Sequence, residues 1–252
     1  MSALSNGRLA CDDSAPKKVP TSAQSRSNKL RFLNMIKLVV FDWDDTITSG
    51  SSEGYYACYE AAISESGIQK TSEEVKEKVR ELWGRPHRDV IEHIIGAENP
   101  LLDKVSKFYE DSIFTNTFSG TLSLIPGAKE KLKELKNSYQ LAIATGMDGV
   151  LFREHVIPRF GMQDFFSCIV SSTELPDSSR GKPYPDMLFK ILQELEVQPN
   201  EAIMVGDAKG DVLMARAAGV RPIVVLTGQL TEIEAKALGV TDILADITAL
   251  NL

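Results

Sequence analysis

No apolar run in this chain approaches the length of a membrane-spanning helix, so nothing in it reads as a bilayer segment. Cysteine is scarce. Cys11, Cys58 and Cys168 are widely separated and odd in number, and they build neither a disulfide framework nor a zinc site. A reducing compartment fits them best. Cys58 lies among Ala57, Ala61, Ala62 and Ile63, a setting that suits core packing better than nucleophilic chemistry. Basic charge is also short: the net charge of −7 argues against a nucleic-acid binder working through a basic face. The remaining composition, 43% hydrophobic and 25% charged over 252 residues, is that of a soluble globular protein. That length allows one large α/β domain or a domain with an insert.

Residues 1–34 differ from the rest. Arg8, Lys17, Lys18, Arg26, Lys29 and Arg31 face only Asp12 and Asp13, a net +4 that leaves −11 for the remainder. The stretch is rich in serine and poor in large apolar residues, a composition expected to stay disordered or to be extraneous to the fold. Three readings stand side by side: a solvated tail, an organellar transit peptide, or translation upstream of a start at Met35. The Asp12-Asp13 pair weakens the second. The expected compartment is the cytoplasm, or an organelle if the segment is a targeting signal.

From Met35 onward the pattern alternates. Residues 36–41 read as a buried strand. Residues 52–118 are helical without interruption: Val75, Val79, Leu82 and Trp83 form one stripe, Val90, Ile91, Ile94 and Ile95 a second, and Val105, Phe108, Tyr109 and Ile113 a third. Thr71 with Glu74 makes a capping box. Such a stretch is too long for a crossover and predicts a small inserted domain, hinged at 50–52 and 119–125. Strands are then expected at 140–144, 168–171, 202–205 and 223–226, separated by helical patterns, with Gly219 ending the helix after the fourth strand of the series. Strands spaced by helices imply βαβ units and a parallel sheet.

The chemistry clusters at strand ends. The run VVFDWDDTIT (39–48) is a hydrophobic strand that breaks into three aspartates and a threonine, with Asp42, Asp44 and Thr46 at its carboxyl end. Open α/β sheets place ligands there. Carboxylates crowded at a strand tip repel unless a cation, a proton or a reaction intermediate lies between them. A hard divalent metal holding a phosphate is the most economical occupant. Thr145 ends the next strand, Asp207 and Asp211 follow a later one, and Lys182 lies in the loop GKPYPD. Each has a plain explanation singly: a turn or cap residue, a surface lysine, a pair favouring a helix N-terminus. Their joint occurrence in this order is harder to dismiss.

The chain here resembles the haloacid dehalogenase superfamily, in the branch of phosphoglycolate phosphatases and β-phosphoglucomutases. The resemblance rests on DWDDT, LAIAT, GKPYPD and GDAKGD, in the family's order and spacing from Met35 to the C-terminus. It implies a Rossmann-like parallel sheet core (35–51 and 119–252) with helices on both faces and an inserted α-helical cap domain (52–118). It also implies a magnesium-dependent phosphatase acting on a small organic phosphate monoester, phosphoglycolate-like or a sugar phosphate, through an aspartyl phosphate.

On that resemblance Asp42 is the nucleophile and Asp44 the acid/base for leaving group and water. Thr145 and Gly146 bind the phosphoryl oxygens, and Lys182 supplies positive charge to the transferring group. Asp42, the Asp44 main-chain carbonyl and Asp207 hold Mg2+, with Asp211 outside them fixing a metal water or Lys182. The family often has glycine where Asp45 stands, and Asp45 reads as a bystander. Trp43 reads as packing by strand alternation. The acid at Asp44 favours a phosphate monoester over a halide substrate. The segment LWGRPHRDVI resembles the family's specificity loop, making Arg85, His87 and Arg88 candidates for the substrate's far end. The expected partner is a small phosphorylated metabolite, with neither nucleic acid nor membrane, and the expected state a monomer or weak homodimer. The rival readings are a phosphomutase, a non-catalytic phosphate-binding relative, and a receiver domain; the last is disfavoured by chain length and the helical insert.

Overall fold

Leu38–Phe41 form β1, and all four side chains are buried, as an unbroken apolar run with helices on both sides requires. The computed structural model that shows this describes residues 36–252. The expectations for residues 1–34, and Cys11 with them, lie outside the described residues.

After β1 the chain turns and passes through β2 (Thr48–Ser49) into five successive helices. These are α1 (Ser51–Glu65), α2 (Ser72–Glu81), α3 (His87–Ile95), α4 (Leu102–Ile113) and the short α5 (Asn116–Ser119). The return strand β3 (Ser123–Leu124) pairs antiparallel with β2, Thr48 opposite Leu124 and Ser49 opposite Ser123. The two crossings into and out of the helical insertion are thus hydrogen-bonded to each other. Gly50 sits at this crossing with φ of 87°, and a Cβ there would lie 2.2 Å from the Thr121 carbonyl oxygen. Only glycine fits both the left-handed backbone and the close approach.

The sheet then continues with α6 (Ala128–Lys136), β4 (Gln140–Thr145), β5 (Cys168–Ser171), α7 (Asp186–Glu194), β6 (Ala202–Gly206) and α8 (Lys209–Ala217). It closes with β7 (Arg221–Val225), α9 (Glu232–Ala237) and β8 (Ile243–Leu244). The strands lie in the order β5-β4-β1-β6-β7-β8, all parallel. Alternation along each strand divides the core. Val39, Phe41, Leu141, Ile143, Ile203 and Val205 face a cluster that contains Leu132 and Leu135 of α6. Leu38, Val40, Ala142, Ala144 and Met204 face Leu188 and Ile191 of α7 and Met214 of α8. Each fully buried Leu, Ile or Val contributes roughly 1.5–3 kcal/mol against exposure. Gly219, with φ of 73°, follows the end of α8 as its left-handed terminator.

Within the insertion, Val75, Val79, Val90, Ile91, Ile94, Val105, Tyr109 and Ile113 are buried, while Leu82, Trp83, Ile95 and Phe108 pack at the edge. The Thr71–Glu74 capping box is formed. Tyr59 of α1 stacks on Tyr109 of α4 at 4.3 Å between ring centroids. Trp43 is buried against Phe152, Phe160 and Phe166, in a packing role.

One sequence expectation needs correction. The strand series does not close at residue 226: β8 adds a sixth strand beside β7. Two half-buried residues at a sheet edge are too few to produce a periodic signal. Among the described residues no helix is long and apolar enough to cross a membrane.

Candidate active site

The parallel register aligns the polar residues that end each strand. Phe41 stands opposite Ile143 of β4 and Val205 of β6, and Thr145 stands opposite Ser171 of β5. Asp42, Thr145 and Asp207 therefore emerge together at the carboxyl edge of three adjacent strands, where the crossovers diverge. The Asp42 amide donates to Val205 O at 2.9 Å, which fixes the start of the loop.

Asp42 is buried, and its Oδ1 accepts from the Trp43 amide and from Lys182 Nζ, each at 2.7 Å. The same ammonium lies 2.7 Å from Asp211 Oδ1. Lys182 thus bridges two carboxylates from opposite ends of the sequence motifs. Asp207 is buried too: Oδ1 accepts from Thr46 Oγ1 at 3.1 Å and Oδ2 from the Gln229 amide at 2.9 Å. Thr145 is buried, and its Oγ1 accepts from the Met147 amide at 3.0 Å, while Gly146 is exposed beside it. Asp44 accepts at Oδ2 from the Tyr55 hydroxyl of α1 at 3.1 Å, and its Oδ1 is buried without a partner.

The electrostatics are those of an acidic cluster short of positive charge. Burial raises the Asp42 carboxyl well above its ordinary range, Lys182 opposes this, and Asp211, Asp207 and Asp44 add to it. Burial, then Asp211, pushes Asp207 up to about 7. Burial, then Asp45, pushes Asp44 up to about 7. Burial works against the Lys182 charge, but Asp211 and Asp42 overcome it and hold the ammonium protonated.

Asp42, Asp207 and Asp211 each offer a carboxylate oxygen, and these oxygens lie within 4.8 Å of one another. Three buried carboxylates against one lysine fit a hard divalent cation, which favours oxygen donors and neutralises the excess charge. Asp211 stands within this trio while also gripping Lys182 and accepting at Oδ2 from the Ala208 amide at 3.1 Å.

A family model, haloacid dehalogenase-like hydrolase, matches residues 36–219. The chain belongs to the haloacid dehalogenase-like hydrolases. Its similar relatives include a phosphoglycolate phosphatase of Vibrio vulnificus, 29% identical over 194 residues, covering 73% of this chain and 81% of the relative. Phosphoglycolate phosphatase 1 of Pseudomonas aeruginosa is 27% identical over 191 residues, covering 73% and 67%. Among solved structures, a haloacid dehalogenase-like hydrolase from Bacteroides fragilis aligns with TM-score 0.73 and 20% identity over 84% of this chain and 97% of its own. CbbY from Rhodobacter sphaeroides in complex with phosphate aligns with TM-score 0.68 and 22% identity over 86% and 97%. These two likenesses concern the fold.

In this haloacid dehalogenase-like hydrolase the three insertion residues separate. Arg85 pairs with Asp89 at 3.0 Å, and Arg88 with Asp103 at 2.8 Å and Glu92 at 3.8 Å, all on exposed surface. Their guanidinium groups are engaged by neighbouring acids. His87 also pairs with an acid, Glu110, at 3.3 Å; it stacks on Tyr109 and lines a cavity of about 580 Å3 with Lys107, Glu110, Asp111, Phe114 and Asp148. Asp148, from the loop after β4, is the one lining residue that lies outside the insertion.

Asp45, expected to be a bystander to the chemistry, has hydrogen bonds of its own. It is buried with φ of 51°, and its carboxylate accepts from the Ser51 and Ser52 amides, each at 3.2 Å, and from Ser52 Oγ at 2.5 Å. The sequence reading named Thr46 without giving it a role, and passed over Tyr55 and the loop Thr227–Gly228–Gln229. Thr46 lies inside the quoted motif, and Thr-Gly after β7 repeats the strand-end signal seen at Thr145-Gly146. Tyr55 had no such marker, since its partner is set only by the angle of α1.

A Cβ on Gly228 would lie 1.9 Å from Asp207 Oδ2. Gly228→Ala must therefore displace either the loop or the carboxylate. Where Asp207 ligates a divalent cation, the substitution is expected to weaken Mg2+ affinity by about 10–100-fold, measured by calorimetric titration. Unchanged affinity would show that Asp207 does not hold the ion.

Proposed function

We propose that the protein is a magnesium-dependent phosphatase of small organic phosphate monoesters, working through an aspartyl phosphate at Asp42. The observation that carries this is the joint placement of Asp42, Lys182, Asp207 and Thr145 at one sheet edge, with a second carboxyl, Asp44, two residues past Asp42 and held by the Tyr55 hydroxyl.

The ionised Asp42 carboxylate attacks phosphorus, and the ester P–O bond breaks as Asp44 gives its proton to the leaving oxygen. Water then attacks the aspartyl phosphate, Asp44 takes the water's proton, and inorganic phosphate leaves with Asp42 restored. A group titrating near 7 can carry a proton in the first step and accept one in the second. Tyr55 orients Asp44 for both. Lys182 favours the ionised form of Asp42, which a bound cation would favour further, and places positive charge where the transferring group develops negative charge. Thr145 has a hydroxyl proton to donate, because its Oγ1 already accepts from the Met147 amide. Mg2+, held by Asp42 and Asp207 with Asp211 adjoining, would supply charge neutralisation to the phosphoryl oxygens.

The helices between β2 and β3 act as a cap that excludes bulk water and reads the leaving group. The relatives named phosphoglycolate phosphatase support a short, phosphoglycolate-like substrate. The test is a panel of phosphate esters with and without Mg2+, scored by phosphate release. Release that depends on Mg2+ and is lost with a chelator supports the reading. Isomerised sugar phosphate without release would replace it with a phosphomutase.

Of the three insertion residues, His87 alone lines the cavity shared with Asp148 and is taken as the one that meets the leaving group. His87→Ala is expected to lower kcat/KM about 10-fold on the preferred substrate and less than about 2-fold on an aryl phosphate. Equal losses on both would remove it from recognition.

A further inference from the structure

The buried Asp45 carboxylate spends all its contacts on the start of α1. That helix has no side-chain cap of its own, since Gly50 precedes it. Asp45 reaches from six residues back to accept the Ser51 amide at Oδ1, and the Ser52 amide and hydroxyl at Oδ2. The contacts do not stop there. Ser52 Oγ, having donated its proton to Asp45, accepts from Gln229 Nε2 at 2.9 Å. The Gln229 amide in turn donates to Asp207 Oδ2 at 2.9 Å, and Leu230 N donates to Asp207 O. On the other side, Thr227 Oγ1 donates to the Asp45 carbonyl at 2.5 Å. Gln229 thus donates both ways, from Nε2 through Ser52 Oγ to Asp45 and from its backbone N–H to Asp207, so one residue ties two buried carboxylates together and each end of the link is a bond to a charge.

We infer that Asp45 is a positioning residue that acts through Ser52 and Gln229 to set Asp207 and the first insertion helix in one frame. The consequence is specific: the geometry offered to the ion depends on a carboxylate that does not touch it. The inference rests on the reading of Asp207 as a magnesium carboxylate.

Two substitutions separate positioning from helix capping. Asp45→Gly removes the carboxylate at a left-handed position that glycine accepts without strain. Ser52→Ala keeps Asp45 on both backbone amides and cuts only the link to Gln229. With the full-length chain, Mg2+ is titrated by calorimetry and by its effect on the thermal midpoint. Both variants are expected to bind Mg2+ about 10-fold more weakly, and the double variant no more weakly than Asp45→Gly, since both cut one chain. Only Asp45→Gly should lower the midpoint measured without Mg2+. Turnover of both should recover toward wild type as Mg2+ is raised to saturation. Unchanged Mg2+ affinity in Ser52→Ala, with the wild type binding normally, would overturn the inference even if Asp45→Gly fails to fold. A wild type that does not bind Mg2+ would instead overturn the metal reading beneath it.

Discussion

Asp42→Asn is expected to lower turnover by about 10⁴-fold or more while leaving the protein folded. The amide has no anionic oxygen to attack phosphorus, so the two-step route closes. The fold should survive because the substitution is nearly isosteric and its carbonyl can still accept the Trp43 amide. Lys182 keeps Asp211 at 2.7 Å, so its buried ammonium is not stranded. Removing one of three crowded carboxylates also relieves repulsion that burial makes severe. The thermal midpoint without Mg2+ should therefore hold or rise, while Mg2+ stabilises the variant less than the wild type. Phosphate release under single-turnover conditions, with circular dichroism of the same samples, checks both halves. Retained Mg2+-dependent release would sink the aspartyl-phosphate mechanism.

Lys182→Met is expected to cost both activity and stability. The side chain is nearly buried and its charge lies between Asp42 and Asp211, so its loss leaves two carboxylates facing each other without a counter-ion. Breaking a buried ion pair in this way costs about 3–5 kcal/mol. Loss of preorganised charge at the transferring group should lower kcat by about 10²–10³-fold. The two effects can be told apart. Saturating Mg2+ should restore part of the stability by neutralising the carboxylates, but not the activity, because Lys182 supplies its charge from a different position. Lys182→Arg should not rescue turnover, since a planar fork cannot take the place of a compact ammonium bonded to two carboxylates. The measurements are denaturant unfolding and kcat at two Mg2+ concentrations. Full recovery of kcat by Mg2+ would reduce Lys182 to a structural counter-ion.

Asp45 shows why the sequence was only partly legible. By itself the sequence determined the alternation of strand and helix, the helical insertion's stripes, and the polar residue ending each strand. These are local properties: a period of two or 3.6, and a turn former where an apolar run stops. Asp42, Thr145 and Asp207 stood out because they end strands, and strand ends in a parallel sheet converge; Lys182 and Asp211, in a loop and a helix, stood out only through the motif resemblance. The tertiary structure alone decided which of these touch and what supports them. Thr46 meets Asp207 across 161 residues, Ser52 meets Gln229 across 177, and Asp45 meets Thr227 across 182. Such pairings depend on β1 lying beside β6 and on β7 following it, an order that periodicity does not encode. The same holds for the insertion: Arg85, His87 and Arg88 share one loop-to-helix segment and each meets an acid, yet only the packing of α3 on α4 sets His87 on Tyr109 at the cavity wall. Chemistry that resides at the end of an element can be read from one strand of sequence; chemistry that depends on a neighbour 160 or more residues away waits for the sheet to bring the two together.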